Sequence, residues 1–529
     1  MIVWDASRVE AGLAAISPIR APLLVHVKEL LDGYHRIQRP LEYYDVLLGD
    51  WVEQFLHLVH FALSEISEQA IDPPTAEELV VAISADSVSF TLRVVEDPSL
   101  TETFRHLVNS LVMGEGLPRI AIEDIPVHTA AKGIKASALA AIGGLASPKK
   151  PEILICAPYM KCSKVEWLSA LMHWRKRVRW DDLAYSIHWD AKSDRQWRIS
   201  NAGNCVSSGD SLEIAKALCS LYIPRVLLEG FDTYRRQVLG LGLFRPKAVY
   251  SANALSWHTS FKILVAEWRE QGTLLLYHQH GGGYGVDRQN VLEDHEIRVS
   301  DRFYTWGWRL PSSKVRPLSP PPLSGKYSGC ATPKWHVLLV CSETPKIAYR
   351  LWYQPMPGTM EMVIRDTAEF VSRLGNPAAL MVRLAPKRFG WEMQEAIAQR
   401  SPSTRFDDFS VGSMTRFAES RLVVHNYLGT SWLETLALDI PTVCFYSPVI
   451  QAFRPEVVPF IIGLEEVGIL HRSGSAAAGF VQSLGSGVDA WWRSEEAQTA
   501  RQAFVANYAN FSSNWVAEWE AEFDSLPQV

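Results

Sequence analysis

Apolar positions along this chain follow two rhythms. In LEYYDVLLGDWVEQFLHLVHFAL, residues 41–63, they recur every three and four places, which predicts a helix near the start of the chain. From about residue 150 onward, short and almost wholly apolar runs alternate with amphipathic stretches. EILICAP (152–158), PKAVYSAN (246–253) and TLLLYHQ (273–279) read as strands, with helices over KVEWLSALMHWRKR and SWHTSFKILVAEWREQG between them. The second half repeats the pattern. WHVLLVCS (335–342), AALMVRLAP (378–386), RLVVHNY (421–427) and PTVCFYS (441–447) read as strands, with helices over GTMEMVIRDTAEFVSRLG and SWLETLALD. The region 78–96, ELVVAISADSVSFTLRVVE, reads as strand-rich, and the end of the chain, from VDAWW onward, as helical.

Short buried strands alternating with helices predict a parallel sheet in each half. The expected fold is α/β: two Rossmann-like domains facing across a cleft, with an N-terminal helical extension and C-terminal helices. LPSSKVRPLSPPPLSGKYSGCATPKW (310–335) is crowded with proline, serine and glycine and reads as an exposed linker. The expected division is therefore 1–310, a linker at 311–334, and 335–529.

Composition narrows the function classes. With 529 residues the chain exceeds one ordinary core, and 47% hydrophobic with 21% charged residues is a globular balance. A net charge of −6 supplies no general basic field, so nucleic acid is not an expected partner. The one basic and aromatic cluster, His173 to Trp180, reads as a solvated helix end or as a face for an anionic acceptor or membrane surface. Seven scattered cysteines, an odd number without CxxC spacing, read as reduced thiols of a cytoplasmic protein. The start, MIVWDASRVEAGLAAISPIR, lacks the apolar core of a signal peptide, and no run approaches the roughly 18 apolar residues of a membrane helix. Peripheral contact at the inner membrane face stays compatible with this.

In such sheets ligands sit beyond the carboxyl ends of strands, so candidate chemistry is sought there. LLLYHQHGGGYG (274–285) places His278, Gln279 and His280 at a strand end, followed by Gly281, Gly282 and Gly283, where backbone amides can approach a ligand without Cβ obstruction, and then by Tyr284. No Gly-Lys-Ser/Thr follows, so it is not a Walker loop, and Val286 stands where a dinucleotide fingerprint needs its third glycine. A tight turn beside one satisfied core histidine is the plainer alternative. Downstream, Glu293, Asp294, His295 and Glu296 form a titratable cluster. A carboxylate there, Glu296 foremost, can orient an imidazole and raise its basicity; a solvated helix face is the alternative, favoured for Asp294. Trp306 and Trp308 read as packing. In the second half, Arg383 and Lys387 flank a strand end as cations suited to a phosphate, or as ordinary surface bases. Ser342 and Thr344 follow another strand. Gly429, Thr430 and Ser431 open a helix whose amides suit phosphate, with Glu434 one turn in to reach a ribose hydroxyl, or else simply cap it.

Taken in order, HQHGGGYG, EDHEIRVSDRFYTWGW, RLAPKRFGW, HNYLGTSWLETLALDIPTVCF and WWRSEEAQTARQAF resemble the transferase family encoded in bacterial O-antigen and surface-carbohydrate clusters. LEYYDVLLGDWVEQFLHLVH resembles that family's N-terminal segment, so the likeness spans nearly the whole chain. The resemblance implies a GT-B-like glycosyltransferase without a cofactor. Its partners would be a nucleotide sugar, CMP-linked ulosonic acids included, and a glycan acceptor that can be lipid-linked. It implies His280 as the base, with His278 second, and donor-phosphate contacts from Arg383, Lys387, Thr430 and Ser431 with Glu434 on the ribose. Related capsule and sialic-acid transferases carry His-Pro where this chain has Ala385-Pro386. In the GT-B arrangement the C-terminal tail would cross back onto the N-terminal domain, with Trp491 and Trp492 as packing. Two other readings compete. One is a metal-dependent hydrolase using His278 and His280 with Glu293, His295 and Glu296, completed by Asp232 or His425. The other is a non-catalytic carbohydrate-binding assembly protein.

Overall fold

The computed structural model describes residues 2–68, 78–125, 148, 150–159, 163–203, 210–321, 333–375 and 380–527. Two six-stranded parallel sheets organise them. The first, in the order β4-β3-β5-β6-β7-β8, is built from β3 (Ile153–Ile155), β4 (Val178–Trp180), β5 (Ala248–Ser251), β6 (Leu274–His278), β7 (Arg302–Thr305) and β8 (Val315–Pro317). The second, in the order β11-β10-β9-β12-β13-β14, is built from β9 (Trp335–Val340), β10 (Leu380–Arg383), β11 (Arg405–Phe406), β12 (Ser420–His425), β13 (Thr442–Phe445) and β14 (Leu470–His471). Helices flank both sheets, so the strands are buried on both faces and read as continuous apolar runs. The strand order reverses between β3 and β5 in one sheet and between β9 and β12 in the other, and such reversals open a crevice at the carboxyl ends. The fold is the expected one: two Rossmann-like domains in a GT-B-like pair.

The helical extension is more than an appendage. α1 (Ala6–His35) and α2 (Leu41–Glu68) pack together, and α2 is buried along most of its length, from Tyr43 through Ala62. Its buried polar groups are paired. Lys262 holds Asp50 at 2.7 Å, and Arg20 holds Glu53 and Asp45 at 2.5 Å each. Breaking one partner of such a pair strands a charge away from water, which is costly.

The stretch 78–96 departs from its strand-rich reading. Only β1 (Leu79–Ile83) is a strand, and it pairs in parallel with β2 (Ile120–Asp124) as a separate small sheet. Residues Ser87–Glu96 form a helix, α3, because Asp86 caps it by accepting from the Ser89 amide at 2.7 Å. α4 (Pro98–Val112) follows. The stretch read as linker also differs: Val315–Pro317 is the edge strand β8, and residues 322–332 lie outside the described residues.

The tail does cross back. The helix Glu495–Tyr508 packs on the second domain, and Asn510 then donates to the Trp306 carbonyl at 2.9 Å. The last helix, Trp515–Asp524, lies on the first sheet. There Trp519 stacks on Trp174, Trp515 stacks on Trp167, and the Trp519 indole donates to Ser319 O at 2.8 Å. Two members of the basic cluster at 173–180 take part in this docking: His173 meets Glu520 at 2.8 Å and Arg177 meets Asp524 at 2.5 Å. Trp491 and Trp492 pack within the second domain, on Phe480 and Asp439. Cys156, Cys219, Cys341 and Cys444 are free and buried; Cys162, Cys205 and Cys330 lie outside the described residues. No helix among the described residues is long and apolar enough to cross a membrane.

Candidate functional site

A cleft of about 510 Å³ opens between the carboxyl ends of the two sheets. Its first-domain wall is the loop after β6, from His280 through Tyr284. Gln279 sits behind this loop and braces it. Its amide donates to the Gly281 carbonyl at 2.9 Å, and its oxygen accepts from the Trp306 amide and the Trp308 indole at 2.9 and 2.8 Å. Gln279 is thus buried and does not line the cleft, contrary to its reading as a substrate contact. His278, one strand step earlier, points to the opposite side of the sheet. It is buried against Tyr304 and Trp519, and its Nδ1 lies 2.8 Å from the Tyr250 hydroxyl. It is a core histidine, and burial pushes its imidazole down to about 3.

His280 faces the cleft with 20% of its side chain exposed. Its Nδ1 lies 3.3 Å from the Tyr284 hydroxyl and 3.8 Å from Glu296 Oε1. Burial, with the nearby Arg350 charge, lowers its imidazole to about 4. Glu296 is 1% exposed, and neither carboxyl oxygen has a hydrogen-bond partner by geometry. Burial, the largest cause, lifts its carboxyl well above the usual carboxylate range. The neutral imidazole and the buried carboxyl are held side by side under Tyr284.

The second-domain wall consists of Ser342, Glu343 and Thr344 after β9, with Tyr427, Gly429 and Thr430 after β12. Asn426 ties the two strand ends together by accepting from the Ser342 amide at 3.0 Å. The helix Thr430–Ala437 has Gly429 as its cap residue and no side-chain cap, so its first amides keep their unmet donors toward the cleft. Ser431 turns inward instead: its Oγ lies 3.2 Å from His425 Nδ1. Glu434 is buried below and is not at the cleft.

Arg383 does not confront His280. Its guanidinium is bound by Asp407, accepts no role at the cleft wall, and lies over the Phe409 ring. A buried carboxylate at the same strand level captures it. Lys387 does line the cleft, yet it pairs with Glu96 of α3 at 2.8 Å, bridging the two walls in solvent. Among the described residues a second cation, Arg350, also lines the cleft, and sequence reasoning passed over it. Its guanidinium lies over the Trp352 ring at 4.2 Å, and its Nε has no partner. The segment is anchored from α2, where His57 Nδ1 accepts from the Leu351 amide at 3.2 Å. An arginine between two aromatics in the loop that follows β9, YRLW at 349–352, was the available signal.

The two walls are clasped. Arg288 N donates to Ala452 O at 3.0 Å, Arg454 N donates to Val286 O at 3.1 Å, and the Arg454 guanidinium reaches Glu293 at 2.6 Å. Asp287 lies within this clasp, accepts from Gln451 at 2.7 Å, and is raised by burial to about 7. Glu293 is thereby a clasp residue, and His295 serves α2 through Asp45 at 3.4 Å. Among the described residues no group of three or more His, Cys, Asp or Glu side chains could hold a metal ion, so the proposed ligand set is not brought together.

A family model for the LIC12162 family of transferases matches residues 2–523. The chain belongs to that family. No curated protein matches this transferase family member in sequence. Among solved structures it is similar to an O-GlcNAc transferase mutant of Thermobaculum terrenum (13% identity, 99% of this chain and 98% of that one, TM-score 0.37). It is also similar to an α,α-trehalose 6-phosphate synthase of Burkholderia multivorans (12% identity, 71% of this chain and 98% of that one, TM-score 0.38).

Proposed function

We propose that this family member is a glycosyltransferase that moves a sugar from a nucleotide-activated donor to a bacterial surface-glycan acceptor. The observation that carries the reading is the juxtaposition across one cleft of a neutral imidazole, His280, with an uncapped helix start at Gly429–Thr430 and an unpaired cation, Arg350. An acceptor hydroxyl oxygen attacks the anomeric carbon, the bond from that carbon to the phosphate oxygen breaks, and the hydroxyl proton passes to His280. The charge left on the nucleotide phosphate is met by the helix amides and Arg350. Glu296 and Tyr284 orient the imidazole. In this reading the first domain forms the acceptor side, the second domain the donor side, and Gly281–Gly283 give the acceptor an unobstructed backbone. The chemistry uses no cofactor, and the enzyme works in the cytoplasm, at the inner membrane face where the acceptor is lipid-linked.

The test is a thermal-shift screen of nucleotide sugars, CMP-linked ulosonic acids included, followed by transfer assays on wild type and His280→Ala. Selective binding raises the melting temperature by mass action. Transfer lost in His280→Ala with nucleotide binding retained supports the reading. Full transfer by His280→Ala removes His280 from the chemistry, and binding without transfer under any donor favours an assembly protein.

A further inference from the structure

A second cavity, of about 340 Å³, lies on the other side of α3 from the cleft. Thr91, Leu92 and Val95 of α3 face the cleft, whereas Phe90, Arg93 and Val94 face this cavity. The segment after β9 is shared in the same way: Thr344, Pro345, Tyr349 and Arg350 line the cleft, and Lys346, Ile347 and Ala348 line the cavity. One helix and one loop therefore separate the two spaces.

The cavity's chemistry differs from that of the cleft. Trp4, Leu58, Phe61, Phe104 and Tyr222 give it a largely apolar and aromatic wall, and Val80 and Ala82 add one face of β1. A nucleotide or sugar placed there would lose water from many polar groups and regain few partners, since Ser84 and the threonines are the main neutral polar groups offered. Charge is asymmetric as well. Three cations, Arg93, Arg105 and Lys346, line it against one carboxylate, Glu65. Arg105 is paired with Glu65 at 3.0 Å, while Arg93 reaches only a distant Asp97 at 3.9 Å and Lys346 lies over the Trp391 ring. The volume falls in the range of small-ligand sites, about 300–1,000 Å³.

We propose that this cavity binds the apolar chain of a phosphate-bearing amphiphile, the lipid carrier of the acceptor, with Arg93 and Lys346 meeting its anionic group. The inference rests on the glycosyl-transfer reading, because a carrier held there would present its glycan to the adjoining cleft. The apolar wall accounts for the chain, the two underused cations for the phosphate, and the shared α3 for the adjacency.

Isothermal titration of the full chain with n-decyl phosphate below its micelle concentration tests this, with inorganic phosphate and decanol in parallel. Saturable one-to-one binding of decyl phosphate is expected, with inorganic phosphate weaker by at least about tenfold, some 1.4 kcal/mol. Ala82→Phe, which fills the cavity, should weaken decyl phosphate by about tenfold or more while nucleotide binding persists. Arg93→Glu, on a partly exposed side chain, should weaken decyl phosphate and leave decanol unchanged; it decides the matter if Ala82→Phe does not fold. Equal binding of inorganic and decyl phosphate, unchanged affinity in Ala82→Phe, or no saturable binding overturns the proposal. Decyl phosphate binding in a chain that binds no nucleotide sugar keeps the cavity and sinks the transferase reading instead.

Discussion

Gly282 of the first domain lies directly against Gly429 of the second: a Cβ on Gly282 would stand 2.6 Å from the Gly429 carbonyl carbon and 2.7 Å from its oxygen. The loop that carries His280 and the turn that opens the helix Thr430–Ala437 meet backbone to backbone. Gly282→Ala should therefore push the walls apart, at a cost of ~1–3 kcal/mol. The expected result is a lower melting temperature and weakened nucleotide affinity together. An alanine variant indistinguishable from wild type in both would mean that the two loops do not touch in solution.

Arg350 and Arg383 should separate cleanly. Arg350→Gln removes a cation that, among the described residues, lines the cleft without an ion-pair partner, and should weaken nucleotide-diphosphate binding by about 10- to 100-fold, the ~1.5–3 kcal/mol of a charge-assisted hydrogen bond, with little change in melting temperature. Arg383→Gln should do the reverse, since it takes one of two arginines from the buried Asp407, which Arg416 also holds. Calorimetry and titration on both variants provide the comparison.

The pH–rate profile should show its acid limb low. An isolated histidine titrates near 6.5, but burial holds His280 at about 4. Its base form is thus present through pH 6 and lost only as pH falls toward 4. A kcat/KM profile that collapses at pH 6.5 would place the base on another residue.

Asp287 runs the other way. Its folded value, about 7, exceeds the ordinary 3.8, so the folded state binds the extra proton. The stability linked to that proton is fully present below pH 3.8 and is lost as pH rises through 7. Asp287→Asn, which keeps the oxygen that accepts from Gln451, should be more stable than wild type at pH 8, with the difference shrinking as pH drops below 7. Denaturant melts at pH 5.5 and 8 measure it.

Trp519→Ala should cost ~3–5 kcal/mol, because the indole fills the space between Trp174, Tyr250 and His278 and donates to Ser319. Denaturant unfolding followed by tryptophan fluorescence reads it, and a loss below ~1 kcal/mol would mean that the last helix is only loosely seated.

The strands that set the architecture were legible because parallel strands buried on both faces are continuous apolar runs, as in Leu274–His278 and Thr442–Phe445. α3 was not, since Val88, Val94 and Val95 favour strand locally while the Asp86 cap and the packing of Phe90 decide for helix. β8 was hidden by its proline, tolerated because it is an edge strand. The site was legible where glycines and a histidine end a strand. It was not legible in Arg383, whose partner Asp407 is 24 residues away, nor in His278: alternation would put residues 278 and 280 on one face, but β6 ends at His278 and the turn that follows breaks the period. Arg350 sits in irregular chain, where no periodicity reports direction.

The seating of helix Trp515–Asp524 on the first sheet bears on how the molecule is made. The ribosome delivers the first domain hundreds of residues before the segment that covers Trp167, Trp174 and Tyr250. Until the last residues emerge, that aromatic face stays open to solvent, and a nascent chain stopped short of them carries an unsealed lobe.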